Sequence, residues 1–112
     1  MSFAESGIHI KAADMKYIDS CLEILQKSDL GKAYFSDYRK AADMLTYAVG
    51  QKNVYVALNE NRKCMGFIYY MTNGVFGSYP YLHIIAVKEE YRSCGIGKQL
   101  IKYFEDVTVQ SC

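Results

Sequence analysis

Tryptophan is absent from this sequence of 112 residues, and proline occurs once, at Pro80. There is no close pair of cysteines, no basic run, no heptad seam and no apolar stretch long enough to cross a bilayer. Each absence excludes something. Zinc sites announce themselves by short ligand spacings. Cys21, Cys64, Cys94 and Cys112 are scattered, and His9 and His83 add no such spacing, so no metal is expected. A disulfide framework belongs to small chains that cannot build a core, so reduced thiols are the reading here. A membrane-spanning helix needs about 20 apolar residues in succession. The start "MSFAESGIHIKAAD" has neither the charged beginning nor the apolar stretch of a signal peptide. The expectation is a cytoplasmic protein with no membrane partner. A net charge of +1 leaves no electrostatic footprint for nucleic acid.

What is present is ordinary globular material, 51% hydrophobic and 22% charged, enough for one domain spanning 1–112 with a single core. "IHIKAA" reads as a short strand, after which Asp14 offers a helix N-cap before an apolar face at Ile18, Cys21, Leu22 and Leu25. Gly31 in "SDLGK" is the expected breaker of that helix. A second helical pattern runs through Tyr38, Ala41, Ala42, Leu45 and Val49 to Gly50. The period then changes. "NVYVALN" alternates as a strand does, "ENRK" is a turn, and "CMGFIYYMT" is a second strand rich in aromatic and branched residues. "NGVFGSYP" reads as a loop and "YLHIIAV" as a strand buried on both faces. Ile96, Leu100, Ile101, Phe104 and Val107 share one face of a last helix. The order β-α-α-β-β-β-α makes an α/β or α+β domain with antiparallel strands in its middle.

The stretch "VKEEYRSCGIGKQL", Val87 to Leu100, places Arg92 shortly before Gly95 and Gly97, with Lys98 directly after. A pattern this loose arises by chance in roughly one in ten chains of such length, and its bland reading is a tight turn before a packing helix. Its context says more. The glycines open a helix at the end of a buried strand, where free N–H groups and the helix dipole attract anions. Arg92 and Lys98 add charge at the rim. Two other phosphate loops fail: a P-loop needs glycine where Arg92 stands and Ser or Thr where Gln99 stands. A dinucleotide fingerprint needs a third glycine where Leu100 stands.

With these residues, "HIIAVKEEYRSCGIGKQLI" resembles motif A of the GNAT superfamily of N-acetyltransferases, and the upstream order of elements is similar to that family's. The resemblance implies a GNAT-like acyl-CoA N-acyltransferase fold, a mixed, mostly antiparallel central sheet flanked by helices. It implies acetyl-CoA as cofactor, with its pyrophosphate on the loop from Arg92 through Ser93, Cys94, Gly95, Ile96 and Gly97 to Lys98. Its pantothenate arm would pair with the main chain of Ile85, Ala86 and Val87. The activity implied is direct acetyl transfer, in a ternary complex, to a primary amine of a small molecule or peptide. Such an amine, with a pKa near 10.4, is only about one part in a few thousand neutral at pH 7, so a base is useful. His83 is the candidate general base, with Tyr81 at another place where family members put a base or a water-holding group. The alternative for His83 is a hydrogen-bonded strand residue without a catalytic part. Tyr34 and Phe35 are candidate walls of the amine pocket, or equally surface and core of the second helix. Glu89 and Glu90 read as solvated loop charges.

The family continues after this helix with a further strand and helix that the sequence lacks, so the fold is expected to be truncated after the third helix. That leaves the apolar edge of strand 81–87 open and implies a fragment, with a homodimer or other self-association through that edge. It also gives the alternative reading, a GNAT-like module that binds coenzyme A or a partner without turnover.

Overall fold

The computed structural model describes residues 8–71 and 81–110, and only the backbone of 81–83, 93 and 107–110. The N-terminal residues 1–7, the whole of the expected loop 73–80 and Cys112 lie outside the described residues. Strand β1 is His9–Ala12. Asp14 then accepts a hydrogen bond from the Lys16 N–H at 3.0 Å, but the segment it caps is a 3-10 turn, Met15–Tyr17, that intervenes before helix α1, Ile18–Lys27.

Ser28 does two jobs that no periodicity announces. Its hydroxyl donates to the Leu25 carbonyl at 2.5 Å, closing α1, and accepts from the Gly31 N–H at 3.0 Å, opening a short helix α2 at Asp29–Tyr34. Gly31 therefore lies inside a helix and is not its breaker. It is glycine because a Cβ there would collide with the Leu25 carbonyl. The order thus gains a helix relative to the expectation. Helix α3, Tyr38–Gly50, starts under an Asp37 cap that accepts from the Lys40 N–H at 3.1 Å. Gln26 on α1 donates to the carbonyls of Phe35 at 3.2 Å and Ser36 at 3.4 Å, holding the α2–α3 junction.

Strands β2, Val54–Leu58, and β3, Cys64–Met71, form a hairpin. In its turn the Asn59 side chain accepts from the N–H groups of Asn61 and Lys63 at 2.8 and 3.0 Å. Arg62 takes a left-handed φ of 62° there, uncommon for a residue with a side chain. Strand β4, Tyr81–Val87, follows, then a 3-10 turn, Glu89–Cys94, and helix α4, Ile96–Gln110. The sheet order is β1-β2-β3-β4 and every pairing is antiparallel, so among the described residues it is not mixed, and β1 and β4 are its edges.

Alternation along the strands divides the core into two layers. Val54, Val56, Phe67, Tyr69, Ile84 and Ala86 meet α1 and α3 through Leu22, Leu25, Ala41 and Leu45. Ala57, Met65 and Ile68 meet α4 through Ile96 and Leu100, with Ile85 and Val87 packed alongside. On this second face Tyr55 stacks on Tyr70 (5.6 Å, 7°), while Tyr103 and Phe104 of α4 close over them at 5.0 and 5.3 Å. Tyr70 has one hydroxyl proton and lies 3.4 Å from both the Lys52 carbonyl and the Tyr55 hydroxyl. If it donates to the carbonyl, the Tyr55 hydroxyl must donate to Tyr70.

Two outcomes test this packing. Gly31→Ala should destabilise the protein by about 1–3 kcal/mol, because the obstacle is a carbonyl of the neighbouring helix end. Gly50→Ala, whose Cβ meets nothing within 4 Å, should change stability by less than about 1 kcal/mol; urea unfolding of the two variants gives the comparison. Burial, then the hydrogen bond with Tyr70, pushes the Tyr55 hydroxyl up from 10.0 to about 12. The unfolded chain then binds fewer protons than the folded one between those values, so stability should fall as pH rises from 10 toward 12. Tyr55→Phe should shallow that fall in urea titrations at pH 9 and pH 11.5; an equal slope would mean that Tyr55 has an ordinary hydroxyl.

Candidate functional site

The end of β4 and the start of α4 are joined by a compact turn. The Lys88 N–H bonds back to the Met65 carbonyl on β3 at 2.8 Å, and the Tyr91 N–H to the Lys88 carbonyl at 2.9 Å. The 3-10 turn ends at Gly95, with φ 75° and ψ 16°. A left-handed residue there turns the chain, and glycine adopts it without steric cost. Helix α4 begins at once: the Gln99 N–H reaches the Gly95 carbonyl at 3.2 Å. The N–H groups of Ile96, Gly97 and Lys98 therefore precede the first helical bond, at the positive end of the helix dipole.

This mouth has room for an anion. A Cβ built at Gly95 would meet nothing within 4 Å, and one at Gly97 only Val87 Cγ2 at 3.8 Å and Ile85 Cδ1 at 3.9 Å. The Ile96 side chain is buried against the sheet, so its backbone, not its side chain, lies at the mouth. Cys94 and Lys98 are exposed; of Ser93 only the backbone is described. Arg92 is exposed too, but its Nε donates to the Val87 carbonyl at 3.4 Å, folding the guanidinium stem over the end of β4. Lys88 pairs with Glu90 at 3.4 Å.

The strand beside the mouth has a free edge among the described residues. Because Lys88 turns its N–H toward β3, alternation turns the backbone polar groups of Ala86 the same way and those of Ile85 and Val87 outward. Farther back the pairing slips: Tyr69 faces Ile84 and Tyr70 faces Leu82, which leaves His83 as an extra residue in a β-bulge. The side chains of His83 and Tyr81 lie outside the described residues. Tyr34 ends α2 with 77% of its surface exposed, whereas Phe35 packs on the α1–α3 layer.

Three residues that sequence reasoning did not single out join the loop. Glu23, Ile24 and Lys27 of α1 face Val87, Lys88, Glu89, Glu90 and Arg92 across a groove of about 360 Å³. Glu23 and Lys27 pair at 3.1 Å. That pairing lowers the Glu23 carboxyl below its ordinary value. The i,i+4 spacing was visible in the sequence, but only the fold places it opposite the loop. Glu89 and Glu90 are exposed at that rim.

The acetyltransferase (GNAT) family model matches residues 18–111. No curated protein sequence matches the chain. Solved structures similar to it include a GNAT-family acetyltransferase from Bacillus cereus, 18% identical with a TM-score of 0.68 over 86% of this chain. Ard1 from Thermoplasma volcanium is 21% identical, with a TM-score of 0.73 over 93%. A GNAT-family acetyltransferase from Staphylococcus aureus is 19% identical, with a TM-score of 0.65 over 94%. The chain spans only 61%, 65% and 66% of the lengths of these three proteins. A family match across most of its length, on a fold that this α+β architecture shares, places the chain in the GNAT family of acetyltransferases.

Proposed function

We propose that this chain takes up acetyl-CoA at the mouth of α4 and that the acetyl group passes directly to a primary amine of a small molecule or peptide. The observation that carries the reading is the left-handed Gly95, which frees the first amides of α4 beside an open strand edge. The N–H groups of Ile96, Gly97 and Lys98 are the proposed donors for the pyrophosphate, bordered by the turn residues Ser93, Cys94 and Gly95, with Arg92 and Lys98 supplying cations. The outward groups of Ile85 and the Val87 N–H, whose carbonyl Arg92 already holds, would bind the arm by strand-like hydrogen bonds, flanking Ala86. Bound acetyl-CoA supplies a thioester, an acyl group activated toward amines.

The protein's part is to position and to move a proton. His83 occupies the bulge of β4, where the extra residue changes the direction of the backbone, and it is our candidate base for the ammonium proton of the acceptor. Tyr81 is the second candidate, directly or through a water. Tyr34 and Phe35 are the proposed walls for the acceptor, and no nucleic acid or metal enters the scheme. The chain would work in the cytoplasm; no described helix is long and apolar enough to cross a membrane. The open edge of β4 is the proposed surface for self-association.

Isothermal titration with acetyl-CoA and a thiol-release assay on a panel of amines test the reading together. Binding with release supports the enzyme, whereas binding without release on any amine would leave a coenzyme A-binding module. Arg92→Ala should weaken acetyl-CoA roughly 10–100-fold, the range for a hydrogen bond to a charged group. Gly97→Val should weaken it at least as much while the fold persists; unchanged affinity in both would remove the cradle. In a catalytically active form, His83→Ala should lower the rate by about 10²–10⁴ at pH 7 and by less at pH 9, where more amine is already neutral. An unaltered pH profile would assign the base elsewhere.

A further inference from the structure

We propose that Cys64 is a thiolation site in the lining of a cationic pocket that receives a carboxylate-bearing small disulfide, and that Cys21 resolves the adduct into a Cys21–Cys64 crosslink. The pocket contains no residue of the α4 mouth, although it shares Glu23, Ile24 and Lys88 with the groove beside that mouth. It measures about 300 Å³ and lies between the start of α1 and the β2–β3 turn, with Lys16, Arg62, Lys63 and Lys88 around Cys64. Glu23 is the acidic residue in its wall, and it is paired with Lys27. Among the described residues Lys16, Arg62 and Lys63 have no ion-pair partner, and Lys16 lies over the Tyr17 ring at 5.2 Å. Arg62 is held in the pocket wall by a left-handed turn that strains a residue with a side chain. The pocket's charge thus favours an anion, and its lining offers sulfur.

The second thiol is already in place. Cys21 of α1 and Cys64 of β3 belong to the same core layer, near enough for each thiol to shift the other, and the Cys64 thiol donates to the Gly66 carbonyl at 3.4 Å. They are unequal: Cys21 is 1% exposed and Cys64, at the pocket, 7%. The neighbouring Cys21 thiol, then the Gly66 backbone and the Lys88 charge, hold the Cys64 thiol below its ordinary value against the effect of burial. The neighbouring Cys64 thiol and burial push Cys21 up. Cys64, the thiol that lines the pocket, is therefore the attacking sulfur, and the more deeply buried Cys21 the resolving one.

In the first step the Cys64 thiolate attacks one sulfur of the incoming disulfide. The new S–S bond forms as the old one breaks, and the departing thiolate takes a proton from water. Cys21 then attacks the Cys64 sulfur, loses its proton to water, and expels the second small thiol. Two protein thiols have lost two electrons and two protons, and one small disulfide has become two thiols.

The reduced full chain should be incubated with oxidised glutathione or with neutral hydroxyethyl disulfide, quenched at intervals and mapped by peptide mass spectrometry. The expected sequence is a mixed disulfide at Cys64, then a Cys21–Cys64 peptide, with the anionic reagent about tenfold faster than the neutral one, in the range of electrostatic steering. Arg62→Gly, which also suits the left-handed turn, and Lys16→Ser should each reduce that preference without slowing the neutral reagent. Adducts confined to Cys94 and Cys112, or equal rates for the two reagents, would overturn the proposal.

Discussion

At Gly95 the backbone adopts φ 75°, a conformation that costs most other residues about 1–3 kcal/mol. The tightly wound Glu89–Cys94 turn has to end there for α4 to leave in a new direction. That change of direction points the first amides of α4 past the end of β4 while Ile96 and Leu100 remain buried in the sheet. The anion-binding mouth and the second core layer therefore share one backbone constraint. Arg92 supports it from the other side by bonding the Val87 carbonyl, which faces away from β3.

The two core layers differ in how they are tied together. The face under α1 and α3 is closed by aliphatic side chains and by the polar stitches of Ser28 and Gln26. The face under α4 relies more on rings, with Tyr55, Tyr70, Tyr103 and Phe104 stacked across strands and helix. Such ring contacts add about 0.5–1.5 kcal/mol each beyond buried area. They fasten the middle of α4, whereas its first turn is left to the loop. A helix held firmly in its middle can present its amide end without being displaced by what binds there.

Much of this architecture was legible from periodicity. Helix α3 and the strands β2, β3 and β4 appear where alternation or helical spacing is sustained, and Gly95 and Gly97 stand at the helix entrance as the motif implied. The missed elements have physical reasons. Helix α2 is six residues long, too short to display a repeat, and its boundaries depend on one serine side chain. Gly31 looks like a breaker in sequence because its real constraint, the Leu25 carbonyl, comes from the end of the preceding helix. The bulge at His83 is hidden because "YLHIIAV" is apolar on both faces, so an extra residue disturbs no visible pattern. Glu23, Ile24 and Lys27 join the loop only through the crossing of α1 over the sheet.

That extra residue in β4 divides the strand into two segments of opposite phase. Ile84 and Ala86 follow one odd–even rule against β3, and the stretch before the bulge follows the other. Loss of a single residue near this point would let the ladder close without interruption, giving a straighter sheet. Such a deletion would look conservative by length and hydropathy, yet it would erase the one place in β4 where the chain departs from regular geometry.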